Sequence, residues 1–142
     1  MTDYFARFGA VREYLRNVVE QARTDGYTET IFGRRRPFGD LASSNRVLRE
    51  NAERAALNAP IQGSAADILK VAMMGIADDL RSQALGSRML MQVHDELVFE
   101  VADGELDALT TIVTDRMGHA ADLRVPLSVQ IGIGSNWDEA AH

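Results

Sequence analysis

Two apolar runs, Met89 to Val93 and Leu97 to Val101, are separated only by His94, Asp95 and Glu96. Strand-forming runs that stop and restart across so few residues bury their apolar side chains by folding back on each other, so a tight antiparallel β-hairpin is predicted here. A hairpin alone is marginal in water and needs further elements packed against it. The chain has the material for that: 142 residues, 46% of them hydrophobic, suffice for one globular core. With no cysteine, neither a disulfide framework nor a zinc–thiolate site nor a thiol nucleophile is available.

Helices are readable around the hairpin. From Thr2 to Asp25, Phe5, Phe8, Val11, Leu15, Val18 and Ala22 recur at steps of three and four, which predicts one amphipathic helix capped by Thr2 and ended by Gly26. Tyr27–Phe32, a turn at Gly33, and Arg34–Phe38 read as a short exposed ribbon. Ser43 or Ser44 is expected to cap a helix reaching about Asn58, where Pro60 disfavours the α conformation of the residue before it. A second helix is expected from Ser64 to about Ala84, burying Ile68, Val71, Ala72, Met74 and Leu80 and ending near Gly86. Asp103 or Gly104 opens a helix to about Ala121, and Val125–Ile133 is expected to form a last strand after Pro126. Met73, Met74, Met89 and Met91 read as gap-filling core, and Trp137 as an anchor for the tail. The fold class is α+β: a small antiparallel sheet, made of the hairpin plus the C-terminal strand, packed by helices in a single unit spanning residues 1–142.

The net charge of −6 argues against a uniformly nucleic-acid-binding surface, but its distribution is uneven. Residues 1–70 hold 11 Lys/Arg against 9 Asp/Glu, whereas residues 71–142 hold 4 against 12. Arg34, Arg35, Arg36, Arg46, Arg49 and Arg54 crowd into one short stretch, so a local basic surface is compatible with an acidic protein. The longest stretch without Asp, Glu, Lys or Arg, Val125–Trp137, is 13 residues, short of the roughly 18 that a membrane helix requires. No export signal is expected in residues 1–10, and a cytoplasmic location fits the absence of cysteine.

Three features carry potential chemistry. At the hairpin tip, His94, Asp95 and Glu96 place ionisable groups between apolar strands. Carboxylates on a rigid hairpin suit a hard cation such as Mg²⁺, which keeps several waters and uses one or two protein carboxylates; a polar turn with no further task is the plainer account. Arg54, Asn58 and Gln62, spaced by four, would form a stripe about 12 Å long on a helix. Their mixed donors and acceptors match the N3 and O2 acceptors present in the minor groove at every base pair, although such a stripe is also the ordinary wet face of a helix, and Pro60 interrupts it. The turn Thr30–Arg36 concentrates guanidinium groups that can grip phosphates or simply remain solvated. Gly132-Ile133-Gly134 lacks the third glycine and following helix of a dinucleotide site, and His119 and His142 have no partner at metal-ligand spacing.

Read together, Glu53–Ile68, with Arg54, Asn58, Pro60, Gln62 and Gly63, followed by Gln92-Val93-His94-Asp95-Glu96-Leu97-Val98-Phe99-Glu100, resemble the C-terminal end of bacterial family A DNA polymerases. The resemblance extends from Tyr4-Phe5 through Gly33-Arg34-Arg35 to Asn136-Trp137-Asp138, nearly the whole chain. It implies the palm with its adjoining helices, and DNA-templated DNA synthesis by two-metal nucleotidyl transfer from a dNTP to a primer 3′-hydroxyl. Asp95 and Glu96 would then be the catalytic and metal-associated residues, with two Mg²⁺ ions in the complete enzyme. Arg54, Asn58, Gln62 and His94 would lie along the minor groove of primer-template DNA, and Arg34 and Arg35 near its backbone. The implied partners are primer-template, dNTP and the remaining N-terminal polymerase segments, which carry the first metal-binding Asp and the nucleotide-binding fingers; by itself the chain is expected to be inactive. A metal-dependent nuclease using Asp95 and Glu96, or a non-catalytic DNA-binding module, are the alternatives.

Overall fold

The computed structural model describes residues 9–140, and side chains from residue 13. The chain divides into two compact units, the first ending at Asp67 and the second beginning at Ile68.

In the first unit, helix α1 (Gly9–Asp25) is closed by Gly26, whose N–H donates to the Ala22 carbonyl at φ +83°. Thr2 and the start of the expected helix lie outside the described residues. Strands β1 (Tyr27–Glu29) and β2 (Arg35–Pro37) form the expected antiparallel ribbon, with Thr28 opposite Arg36. Gly33 takes φ +82° in the connecting turn, a conformation that costs an L side chain about 1–2 kcal/mol. A 3₁₀ turn (Gly39–Ala42) buries Leu41 and leads to helix α2 (Arg46–Ser82).

Helix α2 differs from expectation in two ways. Its cap is Asn45, whose Oδ1 accepts from the N–H groups of Val47 and Leu48 at 3.0 and 3.4 Å. Ser43 instead uses its hydroxyl to accept from Asn45 N–H. More consequentially, α2 runs unbroken for 37 residues with Pro60 inside it. Proline leaves the carbonyl four residues back without its helical donor and costs about 3 kcal/mol in a helix interior, so packing must hold the helix on both sides. Before Pro60, Ala52, Ala56 and Ala59 are buried against Ala22, Phe38 and Leu41, their methyl side chains allowing close approach. After it, Ser64 Oγ accepts from Ile31 N–H at 3.0 Å, and Asp67 accepts from Thr30 Oγ1 at 2.6 Å and from Arg34 Nε at 2.8 Å. Arg34 also donates to the Gly63 carbonyl at 3.3 Å. The ribbon's turn is therefore bolted to the helix turn that follows the proline.

In the second unit, α2 ends where Ala84 adopts φ +53° and Leu85 N–H reaches back to the Leu80 carbonyl. The helix thus stops at Ser82, with an alanine in the conformation usually reserved for glycine. The expected buried stripe is shifted: Leu69, Ala72 and Ile76 are buried, whereas Val71 and Met74 are 43% and 68% exposed. The buried face is the one that packs with Leu109, Ile112 and Val113 through Ile76. Strands β3 (Arg88–Val93) and β4 (Glu96–Glu100) form the predicted hairpin, and Met89, Leu97 and Phe99 pack with helix α3 (Leu106–Gly118) through Ile76, Leu109, Ile112 and Val113. Of the four methionines expected in the core, Met89 fills that role, but Met74 and Met91 are exposed. Arg116 on α3 binds Asp79 through both carboxylate oxygens at 2.7 and 2.8 Å, crossing Gly75, where a Cβ would come within 2.7 Å of the arginine Cδ.

The expected C-terminal strand does not form: among the described residues, the sheets are β1–β2 and β3–β4, and Val125–Ile133 joins neither. Val125 and Ile133 remain exposed. Instead, the short helix α4 (Trp137–Ala140) lies against Gly132 and Gly134, whose missing side chains admit the backbone of Ala140. Trp137 opens α4 and is 44% exposed, so it does not act as a buried anchor. No described helix is long and apolar enough to cross a membrane.

Because Asp67 accepts charge-assisted bonds from Arg34, Asp67→Asn should lower stability by about 1.5–3 kcal/mol, the usual worth of hydrogen bonds to charged groups. A reduced urea midpoint by far-UV circular dichroism is the expected outcome.

Candidate active-site hairpin and polar helix face

Each unit presents one of the surfaces expected from the sequence. In the first, the continuity of α2 through Pro60 places Arg54, Asn58 and Gln62 on one helix, all exposed and within one stripe. Arg54 donates to Asn51 Oδ1, while Asn58 and Gln62 have no hydrogen-bond partner among the described residues. Gln62 borders a cavity of about 200 Å³ lined also by Thr28, Thr30, Arg34, Arg36 and Gly63. The three arginines of the ribbon are held differently. Arg34 is tied to Asp67 and the Gly63 carbonyl, yet its side chain is still 52% exposed. Arg35 pairs with Glu29 at 2.8 Å and lies 4.3 Å from the Tyr27 ring centroid; Glu29 and the tyrosine together raise its pKa further. Arg36 stacks over Phe38 at 5.0 Å and makes no ion pair among the described residues. Sequence reasoning passed over Arg36 as a separate group, although strand alternation already sets it on the opposite face from Arg35.

In the second unit, β3 and β4 are joined by a two-residue turn, His94-Asp95, with Glu96 already paired to Val93 in the ladder. His94 takes φ +54°, a left-handed conformation that a histidine adopts at a cost. The side chains of His94, Asp95 and Glu96 are all exposed, and neither carboxylate has a hydrogen-bond or ion-pair partner among the described residues. A bulge between Met89 and Met91 changes the phase of β3, so that Met89 pairs with Phe99 on the core side while Met91 pairs with Val98. The root of the hairpin is tied by Glu105, which accepts from Gly86 N–H at 2.9 Å and from Ser87 N–H and Oγ at 2.8 and 2.7 Å.

The two tip carboxylates are hard oxygen donors, free of guanidinium partners, and suit a hydrated divalent cation held by one or two ligands. No group of three or more His, Asp or Glu capable of holding a metal occurs among the described residues. The tip is therefore fit to contribute to a metal site but not to enclose one. His119 sits on the surface beside Asp115, and His142 lies outside the described residues.

Comparison with known proteins identifies the family. The model of DNA polymerase family A matches residues 1–139. The chain is 62% identical over its 142 residues to DNA polymerase I of Mycobacterium tuberculosis, and 47% identical over 137 residues to the thermostable DNA polymerase I of Thermus filiformis. Each alignment covers only 16% of the relative's length. Among solved structures, the polymerase domain of Pol1 from M. smegmatis, in complex with DNA primer-template and dNTP, superposes with a TM-score of 0.95 at 60% identity, covering 98% of this chain and 24% of that one. The chain belongs to DNA polymerase family A.

Two outcomes follow from the hairpin's chemistry. His94→Gly should raise the urea midpoint by the equivalent of about 1 kcal/mol, because glycine removes the left-handed penalty. The hydrogen bonds from Gly86 and Ser87 hold the Glu105 carboxyl below its ordinary value of 4.5. The unfolded chain therefore takes up a proton before the folded one, and the stabilisation is complete above pH 4.5 and lost as the pH falls toward the depressed folded value. Glu105→Gln should flatten the fall of the urea midpoint on acidification, with a residual slope from Asp79, whose pKa Arg116 also lowers.

Proposed function

We propose that this chain forms the part of a DNA-directed DNA polymerase that contributes one metal ligand and a minor-groove contact surface, corresponding to the palm and its adjoining helices. The observation that carries the reading is the pair of exposed carboxylates, Asp95 on a strained two-residue turn and Glu96 beside it at the start of β4, without partners among the described residues, in a chain 60% identical to a polymerase domain whose structure holds primer-template and dNTP. When bound, divalent cations, taken to be two Mg²⁺, supply charge neutralisation for nucleotide phosphates and acidify a primer hydroxyl.

Within this reading, Asp95 is a direct metal ligand and Glu96 a neighbouring carboxylate that raises local negative potential and orders water. Glu96 is paired to Val93 in the ladder and Asp95 sits in the two-residue turn that closes it, which restrains them better than a long loop would. Arg54, Asn58 and Gln62 donate to base-edge acceptors common to all base pairs, so they sense the shape of a pair and not its sequence. His94 is assigned to the same groove near the primer end. Arg34 and Arg35 are assigned to the DNA backbone, using donors left over from their contacts with Asp67 and Glu29; Arg36, without a carboxylate partner among the described residues, joins them.

The synthesis itself is a property proposed for these residues together with polymerase segments outside the 142. In a complete polymerase carrying this region, Asp95→Ala should slow primer extension at least about 100-fold, the loss typical of one preorganised electrostatic contact. Extension near the wild-type rate would remove Asp95 from the metal site. Gln62→Ala should lower discrimination against mispaired primer ends while the Mg²⁺ dependence of extension is unchanged, as read from steady-state misinsertion and mispair-extension ratios.

A further inference from the structure

We propose that Glu105 is a positioning residue that locks the root of the β3–β4 hairpin and thereby sets where its tip carries Asp95. This rests on the reading of Asp95 as a metal ligand.

Glu105 occupies the cap position of α3, yet its side chain makes no capping bond to that helix. Its carboxylate turns instead to the two residues preceding β3, accepting from Gly86 N–H with one oxygen and from Ser87 N–H and Oγ with the other. Buried Ser87 closes the ring on the far side: its Oγ accepts from Ala102 N–H at 3.0 Å, just beyond β4. The Ala102 carbonyl in turn accepts from Glu105 N–H at 3.1 Å. The chain entering β3, the chain leaving β4 and the cap residue of α3 are thus joined just below Arg88–Glu100, the outermost pair of the ladder. Glutamate is a weak choice for a helix cap, where Ser, Thr, Asp and Asn are preferred, but its length suits a reach across to a neighbouring strand.

The tip lies six residues from this root, about 20 Å along the strand. A tilt of about 3° at the root moves the tip by about 1 Å, and a misplacement of that size can cost about 100-fold in rate even when the mutated residue is remote. Glu105 touches neither a metal nor a substrate in this scheme. It acts through the hairpin, so it is distinguished from a purely structural residue by what it does to metal dependence.

The test uses a complete polymerase carrying this region, with primer-template, dNTP and Mg²⁺. In Glu105→Ala, amide exchange across residues 88–93 and 96–100 should accelerate about tenfold, as expected from losing hydrogen bonds to a charged acceptor. The kcat for extension should fall about tenfold or more and the Mg²⁺ half-saturation should rise, with duplex Kd within about twofold of wild type. Glu105→Gln, which retains one acceptor oxygen, should fall between, and it serves as the test should the alanine variant fail to fold. Unchanged exchange in both variants overturns the lock. Faster exchange with wild-type kcat and Mg²⁺ half-saturation overturns the positioning role. Asp95→Asn is measured in parallel: wild-type extension by that variant rejects the metal-ligand reading itself, and with it the purpose assigned to Glu105, whatever the exchange rates show.

Discussion

The buried carboxylate of Asp67 holds the first unit in register. It receives the Thr30 hydroxyl and the Arg34 guanidinium from a turn more than thirty residues earlier, at the point where α2 has just passed a proline. Pro60 leaves the helix short of one backbone bond, and the anchor beyond it holds the helix to its course. Small side chains on the other side, Ala52, Ala56 and Ala59, complete the brace by letting α1, Phe38 and Leu41 approach closely. The functional consequence is indirect but specific. Gln62 shares a stripe with Arg54 and Asn58 only because the helix is continuous.

The second unit solves a different problem, that of presenting charge at the end of an apolar hairpin. Met89, Leu97 and Phe99 face Ile76 and the buried residues of α3, so one side of the ladder is fixed by burial. The bulge after Met89 alters the phase of β3 below the tip, and the turn then places His94 in a left-handed conformation. Backbone strain of this kind persists where surrounding structure over-determines it. Here the over-determination comes from the packed ladder above the root and from the Glu105–Ser87–Ala102 ring at its base.

Electrostatics separates groups that look alike in the sequence. Asp67 and Asp79 are taken up by arginines, and Glu105 by backbone and hydroxyl donors, whereas Asp95 and Glu96 stand unpaired among the described residues. The arginines divide in the same manner: Arg34 braces a helix, Arg35 is paired and stacked, and Arg36 is stacked without an ion pair among the described residues. A run of three identical cations therefore serves three different local purposes.

Local sequence was enough to determine the hairpin, the ribbon, the helix ended by Gly26, the acidic tip and the α+β class. Each of these depends on interactions between near neighbours: side-chain period, turn chemistry and capping. It also carried the family, because the motifs around Arg54–Gly63 and His94–Glu96 are contiguous. What it could not determine were matters settled at long range. A break at Pro60 was the natural local inference, and it failed because Asp67, Ser64 and the alanine face outweigh one lost hydrogen bond. The expected burial of Val71 and Met74 failed because the packed face of α2 is the one carrying Ile76, and it is the partner helix, not the helical period, that selects it. Val125–Ile133 has the alternation of a strand but pairs with neither sheet among the described residues, and pairing, unlike periodicity, is a property of two segments. The partners of Arg34 and Glu105 lie 33 and 18 residues away in the chain, a separation that only tertiary packing can close.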